Sequence, residues 1–295
     1  MATTIDRLLR RLEWQVVRRL DGRLSGAYRT VWHGAGIDFA DLREYTAEDD
    51  VRHIDWNVTA RLDEPFVRKY TEDRDLTAWL VLDRSASMRF GVAPHGKDSV
   101  LTELAVCLAR LLSTGGNRVG AILYDNHAHQ VVPPRTGRVH TLRLAHELSK
   151  PAPHAAKQVT TDLAAMMRLA AMTARRRSLV FVISDLIGDR NWDRALAMLT
   201  YRHEVVVVRV VDPAELDLPD VGLVVVEDAE TGEQVLVDTS DPLLRQRLAD
   251  QVDAREADLA RALNRAGVTA HRVATDEDLA KVLIEMVRRS RVRRR

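Results

Sequence analysis

A single cysteine, Cys107, leaves the chain without any internal disulfide. It lies in the apolar run Leu104-Ala-Val-Cys-Leu-Ala-Arg-Leu-Leu112 and reads as a buried, inert thiol rather than a nucleophile. Long apolar runs are missing as well: none approaches the ~18–20 residues that span a bilayer. The start, Met1-Ala-Thr-Thr-Ile-Asp6, has no apolar signal core. These absences lead to the expectation of a cytoplasmic protein. Net charge is scarce too, because 44 Lys and Arg offset 43 Asp and Glu to leave +1. That balance excludes a whole-molecule electrostatic grip on nucleic acid. What the chain does have is 46% hydrophobic and 29% interspersed charged residues. This composition supports a full core, in one large or two modest domains, under a well-solvated surface.

The chain is organised around Leu76-Thr-Ala-Trp-Leu-Val-Leu-Asp-Arg-Ser-Ala-Ser-Met88. The apolar run, bounded by polar residues, predicts a central parallel strand that ends in Asp83. Asp83, Ser85 and Ser87 then stand at the strand's carboxyl end, where open α/β sheets bind ligands. One carboxylate and two hydroxyls so close together offer hard oxygen ligands, suited to a cation such as magnesium. Taken alone, the D-x-S-x-S spacing also has a plainer reading, as a helix cap.

Further strands are predicted at 119–124, 130–132, 179–184, 204–211 and 268–273, alternating with helices. A hairpin is predicted at about 222–238, around Ala229-Glu-Thr-Gly232. The alternation implies an α/β fold with a doubly wound, mainly parallel sheet. The strand order 3-2-1-4-5-6 would make the first and fourth strands neighbours at the topological switch point. The fourth, Leu179-Val-Phe-Val-Ile183, runs into Ser184-Asp185 and so also ends in an aspartate. Thr161 enters the preceding helix and reaches the same crevice, although Thr160 or Thr161 also reads as an N-cap. Asp83, Ser85, Ser87, Thr161 and Asp185 are therefore expected to converge. Thr275-Asp-Glu-Asp278 reads as a capping box for the last helix.

Other segments are read more simply. Residues 5–20 carry Ile5, Leu8, Leu9, Leu12, Val16 and Leu20 at helical spacing, with Arg7, Arg10, Arg11, Arg18 and Arg19 on the other face. A helix docked on its own domain is expected there, with peripheral contact to an anionic membrane as the alternative. Residues 34–75 show no clean period and predict irregular structure, except that Pro65-Phe-Val-Arg-Lys-Tyr70 reads as a strand leading towards the central one. Asp49, Asp50 and Asp55 are expected to pair with Arg43, Arg52 and Arg61 rather than to hold a metal. Gly91-Val-Ala-Pro-His-Gly-Lys-Asp98 nearly matches a phosphate loop but has Asp98 where Ser or Thr would meet magnesium. Nucleotide binding is not expected, and Lys97 is placed at a helix start. The tail from Arg288 to Arg295 has six arginines in eight residues, either solvated or in contact with an anion. The expected division is 1–74 as an N-terminal helix and segment packed on the main domain, 75–290 as that domain, and 291–295 as a basic tail.

Two groups of residues carry a family resemblance. The Asp83-Arg-Ser-Ala-Ser87 loop, Thr161 and Asp185 resemble the metal-ion-dependent adhesion site of von Willebrand factor type A domains. Gly36-Ile-Asp-Phe-Ala-Asp-Leu-Arg-Glu-Tyr45, Asp50-Val-Arg-His-Ile-Asp-Trp56 and Ala60-Arg61 resemble the bacterial branch called domain-of-unknown-function family 58. Thr160 departs from the pattern, in which a glycine often precedes the threonine. The resemblance implies that Ser85, Ser87 and Thr161 bind magnesium or manganese directly, with Asp83 and Asp185 acting directly or through water. It also implies an adaptor working with a MoxR-type AAA+ ATPase in assembly or maturation of a client complex.

The residue chemistry favours binding over catalysis. A cation held mainly by neutral hydroxyls keeps most of its charge, and an acidic side chain from a protein partner can complete its shell. These motifs place no His, Cys or Lys as a base or nucleophile. The expectation is a non-enzymatic, metal-dependent interaction protein. The alternative is a magnesium-dependent phosphoryl-transfer hydrolase using Asp83, although such enzymes usually carry a second acid where Ser85 stands. Nucleic-acid binding through the basic tail is a third and weaker reading.

Overall fold

The computed structural model describes residues 38–46, 51, 54–62, 64–71, 76–91, 96–125, 129–150, 160–188, 191–216, 220–228, 232–268 and 270–292. Strand β3 (Thr77–Asp83) is buried along nearly its whole length and sits inside a six-stranded sheet. Its residues alternate between two faces, as a strand's period of two requires. Ala78, Leu80 and Leu82 enter one core layer, and Trp79 and Val81 enter the other. Helices α2 (Lys97–Thr114) and α3 (Arg138–Ser149) contribute to the first layer. Helices α4 (Leu163–Thr173) and α5 (Trp192–Arg202) contribute to the second.

The other strands are β4 (Arg118–Tyr124), β5 (His129–Arg135), β6 (Leu179–Ser184), β7 (Glu204–Val211) and β10 (Ala270–Ala274). Their order is β5-β4-β3-β6-β7-β10. This is the expected 3-2-1-4-5-6 arrangement. All pairings are parallel except β4 with β5. The crossovers leave β3 and β6 on opposite faces, so a crevice opens between the carboxyl ends of these two strands. A separate antiparallel ribbon, β8 (Leu223–Glu227) with β9 (Gln234–Asp238), precedes the long helix α6 (Pro242–Arg265). Helix α7 (Leu279–Val292) closes the chain against the first core layer. Among the described residues, no helix is long and apolar enough to cross a membrane.

Three expectations change. Strand β5 is longer than 130–132 because it is the sheet edge: Pro133 and Pro134 lie in it, and an edge strand tolerates missing N–H donors. Part of the 34–75 segment is regular. β1 (Asp38–Glu44) and β2 (Phe66–Thr71) pair antiparallel, and α1 spans Trp56–Leu62 between them. β2 lies where a strand is expected at 65–70, whereas β1 and α1 are not expected: β1 takes its order from the cross-strand ladder, which no local period announces. The last helix is capped by Asp278, whose Oδ1 accepts from Ala280 N at 2.9 Å, while the Thr275 hydroxyl donates to Asp212.

The expected acid–arginine pairs are only partly visible. Asp55 is buried and accepts from Val58 N at 3.3 Å at the start of α1, and Arg61 is exposed at its end. Asp49, Asp50 and Arg52 lie outside the described residues, as does the side chain of Arg43. The helix read at 5–20 and the extreme tail 293–295 also lie outside them.

Gly120 of β4 pairs with Trp79 of β3, and the indole covers it. A Cβ at position 120 would meet Trp79 Cζ3 at 2.8 Å and the Val132 carbonyl oxygen at 3.1 Å. Gly120→Ala is therefore expected to destabilise by about 1–3 kcal/mol through overpacking. Urea unfolding followed by tryptophan fluorescence should show a lower midpoint at unchanged slope. An unchanged midpoint would mean that the indole moves aside at no cost.

Candidate functional site

Asp83 is 0% exposed, and both its carboxylate oxygens are engaged. Oδ1 accepts from Ser85 N at 3.0 Å, and Oδ2 accepts from the Ser184 hydroxyl at 2.6 Å. The Ser85 and Ser87 hydroxyls lie 3.1 Å apart and both residues are buried. The one-turn helix Ser87–Arg89 has Ala86 at its N-cap and no side-chain cap, so neither serine serves the capping role. Arg84 turns away from the serines and ties the loop to the end of α3. Its guanidinium donates to the Leu148 and Lys150 carbonyls, each at 3.2 Å, and Nε lies 2.8 Å from Asp98.

Thr161 reaches the same crevice from the other face. The N-cap of α4 is Asp162, which accepts from Ala165 N at 2.7 Å, so the threonine is not the cap. Thr161 is buried, whereas Thr160 is exposed. The Thr161 backbone packs on Gly188, where a Cβ would overlap the Thr161 carbonyl oxygen. That close approach joins the threonine segment to the loop after Asp185. Asp185 Oδ1 accepts from Ile187 N at 2.9 Å, and its carbonyl accepts from Arg209 Nε at 3.3 Å. The Tyr124 phenol records the convergence. Its pKa is pushed up to about 12, first by burial and then by the charges of Asp162 and Asp83.

Several residues of this edge escaped the sequence reading. Lys97 is at the helix start as expected, yet it is 0% exposed. Its ammonium donates to Asp185 Oδ2 at 2.8 Å and to Glu215 Oε1 at 2.5 Å. The available signal was its place one and two turns before Leu101 and Leu104, on the buried stripe of α2. The glycines that mimic a phosphate loop serve a backbone crossing: a Cβ on Gly91 would meet Gly96 Cα at 2.9 Å. Lys97 and Asp98 both have charged partners inside the fold. Ser184 holds Asp83 in place, and Asp125, buried at the end of β4, faces Arg89 at 3.7 Å.

Electrostatically, Asp83 lacks positive charge. Burial, and next the nearby Asp185, push its pKa up to about 7, against the hydrogen bonds from Ser184 and Ser85. Among the described residues, no trio of His, Cys, Asp or Glu is gathered for a metal. The distinctive donors here are hydroxyls in front of buried carboxylates. That set suits a hard divalent cation, with Ser85, Ser87, Thr161, Asp83 and Asp185 as the residues able to hold it.

Two outcomes are expected. Lys97→Met leaves Asp185 and Glu215 without their shared cation and should cost about 3–5 kcal/mol in chemical denaturation. Adding Glu215→Gln should recover part of that loss; no recovery would show that the two sites are not coupled. In chelator, the raised Asp83 pKa favours the protonated folded form. Its stabilising contribution is full below the unfolded pKa near 4 and is lost as pH rises to about 7. Melting temperatures from pH 4 to 8 should show this decline in the native chain but not in Asp83→Asn.

Comparison with known proteins follows the same lines. Residues 41–258 match the family described as "Protein of unknown function DUF58". The uncharacterised protein Rv1480 of Mycobacterium tuberculosis is 40% identical over 279 residues, which cover 95% of this chain and 87% of that protein. Among solved structures, this chain is similar to the conserved hypothetical protein BatB from Bacteroides thetaiotaomicron. There the TM-score is 0.48 at 16% identity, covering 73% of this chain and 98% of BatB. It is also similar to the SpRpn10 VWA domain, with a TM-score of 0.39 at 12% identity, covering 72% and 95% of the two chains. With the family match spanning most of its length, the chain belongs to the DUF58 family.

Proposed function

We propose that this protein is a non-catalytic, divalent-metal-dependent adaptor. In this reading Ser85, Ser87 and Thr161 hold magnesium or manganese directly, backed by Asp83 and Asp185. A partner protein supplies a carboxylate that completes the cation's coordination. The observation carrying the proposal is the pair of hydroxyls 3.1 Å apart in front of the buried, charge-starved Asp83. Neutral hydroxyl donors leave the cation most of its charge, which is then available to an incoming anion.

The hydrolase alternative has less support. A nucleophilic aspartate must present an oxygen to substrate, whereas Asp83 is wholly buried with both oxygens hydrogen-bonded. Lys97 already bonds two carboxylates. The family resemblance makes a MoxR-type AAA+ ATPase the partner to test first, in assembly or maturation of a client complex.

Calorimetry should detect magnesium or manganese binding that the Ser85→Ala/Asp185→Ala double variant abolishes; unchanged binding would put the metal elsewhere. In pull-downs, a MoxR-type ATPase should be retained with magnesium and released by chelator. Thr161→Ala should weaken retention by about tenfold or more at subsaturating magnesium without unfolding the chain. Magnesium-dependent phosphoester turnover that vanishes in Asp83→Asn would overturn the adaptor reading. Retention indifferent to chelator would remove the metal from the mechanism.

A further inference from the structure

Beyond β7 the chain leaves the same sheet edge and builds a projecting arm. Glu215, which meets Lys97, lies in the one-turn helix Pro213–Glu215, and the β8–β9 ribbon follows. The chain returns through α6. Glu256 of this helix pairs with Arg209 near the carboxyl end of β7. Residues 242–250 therefore run beyond that end, by roughly 13 Å at 1.5 Å per residue. The arm has a built base: the buried Thr239 hydroxyl donates to the Gly222 carbonyl at 2.8 Å and accepts from Val221 N at 2.9 Å. Asp241 caps α6 through Leu243 N.

Two independent properties mark the ribbon. Among the described residues it pairs with no strand but its own, and both its faces carry exposed apolar side chains. Val225 stands opposite Leu236, and with Leu223 on the same face these side chains are 62%, 66% and 69% exposed. Leu243, at the start of α6, is equally exposed. The second property is charge. Residues 212–241 contain ten Asp or Glu and no Lys or Arg, whereas the rest of the chain has a clear excess of Lys and Arg; Arg245, in the first turn of α6, faces Asp220 at 3.8 Å. Asp220, Glu227, Asp228, Glu233, Asp238 and Asp241 are all exposed. An exposed apolar patch rimmed by polar residues marks an interaction surface. The sign of the rim selects the occupant: a second copy would bring the same acids, and nucleic acid or an anionic membrane would be repelled.

We infer that the arm, β8–β9 with the start of α6, docks a basic amphipathic segment of a partner protein. The segment's apolar side chains cover Leu223, Val225 and Leu236, and its Lys and Arg meet the acidic rim. This contact is separate from the metal reading, because nothing in it requires a cation.

The test uses the full chain in chelator, with two fluorescent synthetic helical peptides. One is amphipathic Leu/Lys, and the other is its Leu/Glu counterpart. The Leu/Lys peptide should bind by anisotropy, and the Leu/Glu peptide should not. Val225→Asp/Leu236→Asp should weaken binding by about tenfold or more, and so should Glu227→Lys/Glu233→Lys, as each removes one component of the surface. Added salt should weaken it further. These side chains are exposed, so melting temperature and magnesium response should stay unchanged. Equal binding by either variant, or by the Leu/Glu peptide, would overturn the inference. So would a homodimer in sedimentation that dissolves in Val225→Asp/Leu236→Asp. Peptide binding that appears only after removal of residues 1–30 would assign the face to the chain's own N-terminal segment and overturn the partner.

Discussion

Two strand ends bring Asp83 and Asp185 into one buried crevice, where the Asp185 carboxylate disfavours the charge of Asp83. A buried carboxylate costs several kcal/mol unless compensated, so the surroundings of this pair are constrained. Ser184 and the Ser85 amide satisfy Asp83, and Lys97 neutralises Asp185 while bridging to Glu215. The arrangement is lopsided. Asp185 has a built-in cation, whereas Asp83 has only neutral donors and stays protonated to near pH 7. The missing positive charge lies beside two hydroxyls, the place a divalent cation would fill.

The rest of this edge serves that geometry. Arg84 is committed to the α3 carbonyls and Asp98, which keeps its charge off the serines. Gly188 lets the Thr161 backbone approach the Asp185 loop, and Gly91 lets the chain cross Gly96 on the way to Lys97. Through Glu215, the same lysine links the crevice to the segment that leads into the acidic arm. The two candidate contact regions thus differ in sign: a cation site drawing an anion, and an acidic ribbon drawing a cationic segment.

Much of this was legible in the residues. Continuous apolar runs identified the buried strands of a parallel sheet, and the alternation with helices implied the winding. Aspartates after two such runs, with Ser85, Ser87 and Thr161 nearby, marked the crevice before any coordinates. Less was legible where partners are distant in sequence. The strand read at 130–132 runs on through Pro133 and Pro134, because only the sheet order shows that it is an edge. β1 carries no clear period because its order comes from pairing with β2, which does read as a strand.

The chain's local chemistry determined the fold class, the strand order and the oxygen-rich residues at the sheet's switch point. Burial and alternation are properties of neighbouring residues, and a sequence displays them directly. Tertiary structure alone decided that Lys97 is an internal counter-ion, that Asp162 rather than Thr161 caps α4, and that the β8–β9 ribbon stands apart from the sheet. Each depends on which distant groups meet. A lysine's charge, a hydroxyl's partner and a valine's exposure are set by three-dimensional neighbours, whose identity no local pattern encodes.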